Sequence, residues 1–87
     1  MDVKYLNYIL AIANRHNMTK AAEDLFVSQS SLSQYLSRLE QELGTPLFIR
    51  SKGELSLTSA GVLYVEAAQK VVKIQKDLYQ NIAALSQ

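Results

Sequence analysis

The chain has 87 residues, with nine Lys and Arg side chains against eight Asp and Glu side chains, one His and no Cys. This length suits one small domain and excludes most enzyme folds that enclose a deep active site. A chain without cysteine has neither disulfides nor thiolate metal ligands, which agrees with a cytoplasmic location, and no apolar run approaches the roughly 20 residues of a membrane span. The formal net charge of +1 does not indicate a nucleic-acid binder, because such proteins usually carry a clear basic excess.

The first quarter of the chain predicts two helices. Residues 3–14 carry apolar side chains at three- and four-residue spacing, which is typical of an amphipathic helix, and the polar residues 14–17 end it. We expect His16 to hydrogen-bond the carbonyl groups at the end of this helix. Thr19 is the predicted N-cap of a second, short helix. Its inward-facing residues are Ala21, Ala22 and Leu25.

The third helix has the clearest boundaries. Ser28 is its predicted N-cap, and Gly44 followed by Pro46 is a strong stop signal. Between them four leucines recur at spacings of four, three and four residues, which predicts a core-facing stripe. They are Leu32, Leu36, Leu39 and Leu43.

Residues 47–57 predict a small β-hairpin with its turn at 51–54, and Thr58 is the predicted N-cap of a last helix that continues to about Leu85. That helix would be roughly 40 Å long. Its apolar residues follow near-heptad spacing, and the body before it is too small to cover them all, so we expect them to mark an interface. They are Tyr64, Ala67, Val71, Ile74, Leu78, Ile82 and Leu85.

The order of these elements predicts a mainly α fold, in which residues 1–57 form a winged helix-turn-helix and residues 58–87 a long last helix. Residues 28–37 read SQSSLSQYLS and hold no charged side chain. An exposed helix face is usually rich in Glu, Lys and Arg, whereas short neutral donors and acceptors suit base edges in a DNA groove. The predicted outward side chains are Ser30, Ser33, Gln34, Ser37 and Gln41.

Three cations border this segment. Arg38 could contact a phosphate or pair with Glu42, and Arg50 could contact DNA or pair with Glu40. Lys52, beside the hairpin turn, is the better candidate for a DNA contact. A single histidine cannot build a multi-histidine metal site, and the chain has no Gly-rich phosphate loop and no Ser/His/Asp grouping. We therefore predict no catalysis, no cofactor and no metal.

The chain closely resembles the DNA-binding domain of LysR-type transcriptional regulators. The resemblance covers its whole length without insertion. The matching residues are 19–25 (TKAAEDL), 27–29 (VSQ), Ser33, 39–40 (LE), 43–44 (LG), 47–48 (LF), Arg50, 57–58 (LT) and 60–61 (AG).

The resemblance implies a bacterial regulator that reads the major groove with its third helix, touches the minor groove with its wing and dimerises through its fourth helix. It implies binding to interrupted dyad-symmetric sites near promoters, as a dimer or a tetramer. By position, the DNA-facing residues are Ser28, Gln29, Ser30, Ser31, Ser33 and Gln34, with Lys52 in the wing.

Three features depart from the usual family pattern: Ser30 and Ser31 where Pro or Ala is frequent, Gln34 where Arg is frequent, and Gly53 where Arg is common. They suggest a different base preference and weaker non-specific binding. The family normally continues into an effector-binding domain of two α/β lobes, so we expect a small-molecule effector to act only through such a domain. The alternatives are an oligomerisation or protein-interaction module, and another winged-helix family such as MarR-type or molybdate-responsive regulators.

Overall fold

The computed structural model describes residues 2–86, without the side chain of Lys4. The first three helices and the hairpin surround one apolar core, and the fourth helix extends from it, which gives the molecule a long dimension of 51 Å. This is the predicted winged helix-turn-helix followed by a long helix. Its elements are α1 (Val3–Arg15), α2 (Met18–Leu25), α3 (Gln29–Leu43), β1 (Phe48–Ser51), β2 (Glu54–Leu57) and α4 (Ser59–Leu85).

The core is built from the apolar stripes of the helices. Leu6, Ile9 and Ile12 of α1 are completely buried, as is Leu32 of α3. Full burial of one such side chain stabilises the fold by ~1.5–3 kcal/mol. These residues fix the rotation of each helix about its own axis, and so decide which polar residues face outward.

The predicted start of α2 is wrong by two residues. Asn17, not Thr19, is the N-cap, because its side-chain oxygen accepts a hydrogen bond from the Lys20 amide at 2.9 Å. Asn is at least as good a cap as Thr, and beginning the helix at Met18 buries that side chain in the core. The hydroxyl of Thr19 is thereby free for another partner.

Helix α3 begins and ends as predicted. The Ser28 hydroxyl accepts a hydrogen bond from the Ser31 amide, and Gly44 closes the helix in the left-handed conformation with φ 75°. The stripe of leucines ends one turn earlier than predicted, because Leu43, the last residue of α3, is 46% exposed. The turn before α3 places Phe26 at φ 58° with its side chain 96% exposed.

Hydrogen bonds with Glu40 of α3 and with His16, the residue after α1, hold the hairpin against the helices. Glu40 accepts hydrogen bonds from the amides of Leu47 and Phe48 at the start of β1. His16 bonds Leu55 twice: its carbonyl accepts from the Leu55 amide at 3.0 Å, and its Nδ1–H donates to the Leu55 carbonyl at 3.1 Å. His16 therefore joins the helices to the hairpin, and the prediction that it bonds carbonyls at the end of α1 is wrong.

Helix α4 starts at its predicted cap. The Thr58 hydroxyl accepts a hydrogen bond from the Gly61 amide at 2.9 Å and donates one to the Pro46 carbonyl at 2.7 Å. Gly61 allows the helix to touch the hairpin, since a Cβ there would clash with the Leu47 carbonyl oxygen and come within 2.9 Å of Leu57 Cδ2.

Candidate nucleic-acid interface

The outward row of α3 consists of neutral polar side chains. Because Leu32, Leu36 and Leu39 face the core at helical spacing, the opposite side of the helix points to solvent. We call this row the α3 outer face, and all its members are exposed. They are Ser30, Gln34, Ser37 and Gln41.

The first turn of α3 carries a cluster of hydroxyl groups. Besides accepting from the Ser31 amide, the Ser28 hydroxyl donates to Ser31 Oγ at 2.8 Å and lies 3.3 Å from Ser30 Oγ. The hydroxyls of Ser28 and Ser31 are thus engaged with their own helix, although both residues are exposed. The Gln29 side chain makes a longer-range contact, accepting a hydrogen bond from the Thr19 hydroxyl at 3.0 Å.

Ser33 lies beside the outer face rather than on it. It is half-buried in a cleft of about 190 Å³ between α3 and the hairpin, where Arg50 lines the opposite wall. Arg50 pairs across the hairpin with buried Leu55, and cross-strand partners project from the same face of a sheet. The hairpin register therefore directs Arg50 towards α3. Ser33 and Arg50, which are 17 positions apart in the sequence, thus line the same cleft.

The three predicted cations are available for a ligand. Arg15 pairs with Asp24 and Lys73 pairs with Asp77, whereas Arg38, Arg50 and Lys52 form no ion pair within residues 2–86. All three are exposed. Glu40 is occupied by the amides of β1, so the alternative Arg50–Glu40 pair does not form, and the alternative Arg38–Glu42 pair does not form either.

Lys52 has a left-handed backbone conformation, which is more favourable for Gly or Asn than for Lys. The two turn residues, Lys52 and Gly53, have φ 52° and 78°, the signature of a two-residue type I′ hairpin turn. Asn or Gly is preferred at the first of these positions, and a side chain there costs roughly 1–2 kcal/mol. The fold alone does not explain a lysine at this tip, and its role as a DNA contact stays a prediction.

Four tyrosines from three helices form a cluster beside α3. Tyr5 stacks on Tyr35 with ring centroids 4.8 Å apart, and Tyr8 packs edge-on against both rings. Tyr64 of α4 lies beside Tyr35. Burial, assisted by the neighbouring Tyr64, raises the pKa of Tyr35 to about 12, and burial also raises the pKa of Tyr64. The cluster joins α1, α3 and α4.

The predicted dimerisation stripe of α4 divides into two parts. Tyr64 and Val71 are half-buried, and Tyr64 packs against the core of its own subunit. Further along, Ile74 is 68% exposed and Leu85 is 85% exposed. The intervening members Leu78 and Ile82, and the earlier Ala67, are also exposed. The far half of α4 is thus an uncovered apolar row.

Other kinds of site find little support in residues 2–86. In that range no cluster of His, Asp and Glu side chains is suited to hold a metal ion. Nor does any helix there combine the length and the apolar character that a membrane crossing requires.

Sequence reasoning missed the role of Thr19. The residue was assigned as a cap, whereas its hydroxyl contacts Gln29, ten residues along the chain. The signal was present in the sequence: Asn17 is an equally good cap, and a helix that begins after Asn17 leaves Thr19 in its first turn with an unused hydroxyl.

Comparison with known proteins identifies the family. The sequence model of the bacterial regulatory helix-turn-helix proteins of the LysR family matches residues 3–62. The uncharacterized HTH-type transcriptional regulator YcgK of Bacillus subtilis strain 168 is 42% identical over 87 residues, which are 100% of this chain and 27% of YcgK. The HTH-type transcriptional regulator BudR of Raoultella terrigena is 49% identical over 70 residues, which are 79% of this chain and 24% of BudR.

The chain spans about a quarter of the length of these two relatives. Among solved structures, a CbnR_DBD–DNA complex matches with a TM-score of 0.86 and 31% sequence identity, covering 100% of both chains. The matched family model, the relatives and the shared fold agree, and the chain belongs to the LysR family of bacterial regulatory helix-turn-helix proteins.

Proposed function

We propose that this chain binds double-stranded DNA in a sequence-specific manner, as the DNA-binding part of a homodimeric, non-enzymatic transcriptional regulator. The observation that carries the proposal is the α3 outer face, an exposed row of Ser and Gln without a charged member. Such side chains both donate and accept hydrogen bonds, which suits the base edges in a major groove, and they do not repel phosphates as carboxylates would.

The unpaired cations supply the complementary contacts. Arg38 directly follows the uncharged segment 28–37, Arg50 faces α3 from the hairpin, and Lys52 lies at the hairpin tip. Phosphate contacts of this kind fix the position of a protein on the duplex and carry no sequence information themselves. The similarity to a chain solved in complex with DNA supports DNA as the partner.

A second copy of the chain is the proposed occupant of the uncovered row on α4. Ile74, Leu78 and Ile82 would pack against the same row of the partner, which removes apolar surface from water. A two-fold dimer presents two α3 helices and therefore binds two half-sites related by dyad symmetry. The proposed target is an interrupted dyad-symmetric site near a promoter.

Selection of bound duplexes from a random DNA pool tests this function. We expect enrichment of duplexes with two inverted half-sites at a fixed spacing. The duplexes selected by the Gln34→Ala variant should show no base preference at one position in each half-site, because Gln34 belongs to the α3 outer face. A pool that stays random after several rounds, while the chain is a stable dimer, would favour a protein-interaction module instead.

A further inference from the structure

We infer that Thr19 is a positioning residue that holds the side-chain amide of Gln29 in one orientation and thereby decides which base Gln29 prefers. The inference rests on the proposed DNA binding. It starts from the hydrogen bond that Thr19 Oγ1 donates to Gln29 Oε1 at 3.0 Å. The two residues come from the first turns of α2 and α3 and line one cleft together with Arg50 and Gly53 of the hairpin.

The orientation of a glutamine amide determines what it can recognise. Its oxygen only accepts and its NH₂ group only donates, and rotation about the last side-chain torsion exchanges them at little cost. The Thr19 hydroxyl removes this freedom by binding the oxygen. One lone pair of Oε1 and both protons of Nε2 remain for a ligand.

This remaining set matches some base edges better than others. Adenine offers an acceptor at N7 and a donor at N6, so it can bond both the NH₂ group and the free lone pair of Gln29. Cytosine offers a donor alone in the major groove, which leaves the Gln29 NH₂ group without a partner. The hydrogen bond from Thr19 therefore favours adenine and disfavours cytosine at the position that Gln29 contacts.

The fold itself does not need this hydrogen bond. Thr19 and Gln29 are both exposed, and each helix is already capped, α2 by Asn17 and α3 by Ser28. Loss of the Thr19 hydroxyl should therefore leave the unfolding midpoint nearly unchanged. If the hydrogen bond only links the two helices, removing the Thr19 hydroxyl should leave the base preference unchanged. If Thr19 positions Gln29, removing the hydroxyl should change the base preference.

The test compares Thr19→Val, which keeps the shape and removes the hydroxyl, with Thr19→Ser, which keeps the hydroxyl. Gln29→Ala first identifies the base pair at which preference is lost, and four duplexes that differ only there serve as competitors. We expect the wild type to prefer adenine, Thr19→Val to lose that preference by about two- to tenfold, the worth of one hydrogen bond, and Thr19→Ser to retain it. In the Gln29→Ala background, Thr19→Val should have no further effect.

Four results would overturn the inference: an unchanged preference in Thr19→Val, an equal loss in Thr19→Ser, a wild-type preference for cytosine, or a Gln29→Ala variant that loses preference nowhere. Each of these can occur in a chain that selects a specific DNA sequence, so they contradict the role of Thr19 alone. A random pool from which the wild type enriches nothing would contradict the proposed function as well.

Discussion

Helices α3 and α4 both bury one apolar stripe against the same core, yet the surfaces they leave uncovered differ. The α3 outer face is a neutral polar row, whereas Leu32, Leu36 and Leu39 on the other side of the helix are buried in the core. Helix α4 is covered by the body only near its beginning, around Gly61 and Ala68. From Ile74 to Leu85 its apolar side chains face solvent.

The difference indicates two kinds of partner. The row on α3 contains Ser and Gln where an exposed helix face usually has Glu, Lys and Arg. Such a row is suited to a DNA groove, which offers hydrogen-bond donors and acceptors and is negatively charged. An apolar row is suited to another apolar row. Under the proposed function, one small domain combines a surface for reading DNA with half of a protein interface.

The largest expected effect is on α4. Ile74→Glu together with Leu78→Glu places two charges in the apolar row, and we expect sedimentation analysis to show monomers at concentrations where the wild type is a dimer. The control is Gln69→Glu with Gln80→Glu, which adds the same charge on the opposite side of α4 and should remain dimeric. Persistence of the dimer in the first variant would place the interface elsewhere.

A smaller effect is expected where α4 touches the body. Gly61→Ala forces a Cβ against the Leu47 carbonyl, and we expect a loss of about 1–3 kcal/mol in the free energy of unfolding by urea at fixed protein concentration. Ser59→Ala, at an exposed position in the same turn, should change it by less than about 0.5 kcal/mol. Equal stability of the two variants would show that the close approach of α4 to the hairpin is not required.

The smallest expected effect concerns the tyrosine cluster that joins α1, α3 and α4. The folded state raises the pKa of Tyr35 from its ordinary value of 10.0 to about 12, so it holds the Tyr35 proton more tightly than the unfolded chain does. The resulting stabilisation is complete below pH 10 and disappears as the pH rises through about 12. In urea unfolding over this range, Tyr35→Phe should lose less stability than the wild type.

Tyr79→Phe is the control for that experiment, because Tyr79 is exposed on α4 outside the cluster. It should follow the wild-type pH profile. If Tyr35→Phe also follows that profile, Tyr35 does not link folding to alkaline pH.

The features that the sequence predicted correctly depend on neighbouring residues. The caps at Ser28 and Thr58, the stop at Gly44 and the hairpin turn are each set within a few positions, and so could be recognised from the sequence alone. The predicted start of α2 is wrong because two good cap residues, Asn17 and Thr19, lie only two positions apart. Only the burial of Met18, a tertiary effect, selects between them.

The contacts that escaped prediction join distant parts of the chain. The partner of His16 is Leu55, 39 residues away, and Glu40 binds amides seven and eight residues away instead of pairing with Arg50. Helical periodicity carries no information on such pairs. For the same reason, the sequence could list Arg50 and Ser33 as candidates but could not place them in one cleft.

The most direct test of the division between α3 and the surrounding cations is a salt titration of DNA affinity. It compares a selected duplex with a scrambled one for the wild type, Gln34→Ala and Lys52→Ala, with Lys70→Ala as a cation control on α4. Lys52→Ala should lower the affinity for both duplexes and reduce the slope of log affinity against log salt concentration by about 1. Gln34→Ala should reduce the difference in affinity between the selected and the scrambled duplex without changing that slope. Identical behaviour of Gln34→Ala and Lys52→Ala, or equal wild-type affinity for both duplexes, would contradict base reading by the α3 outer face.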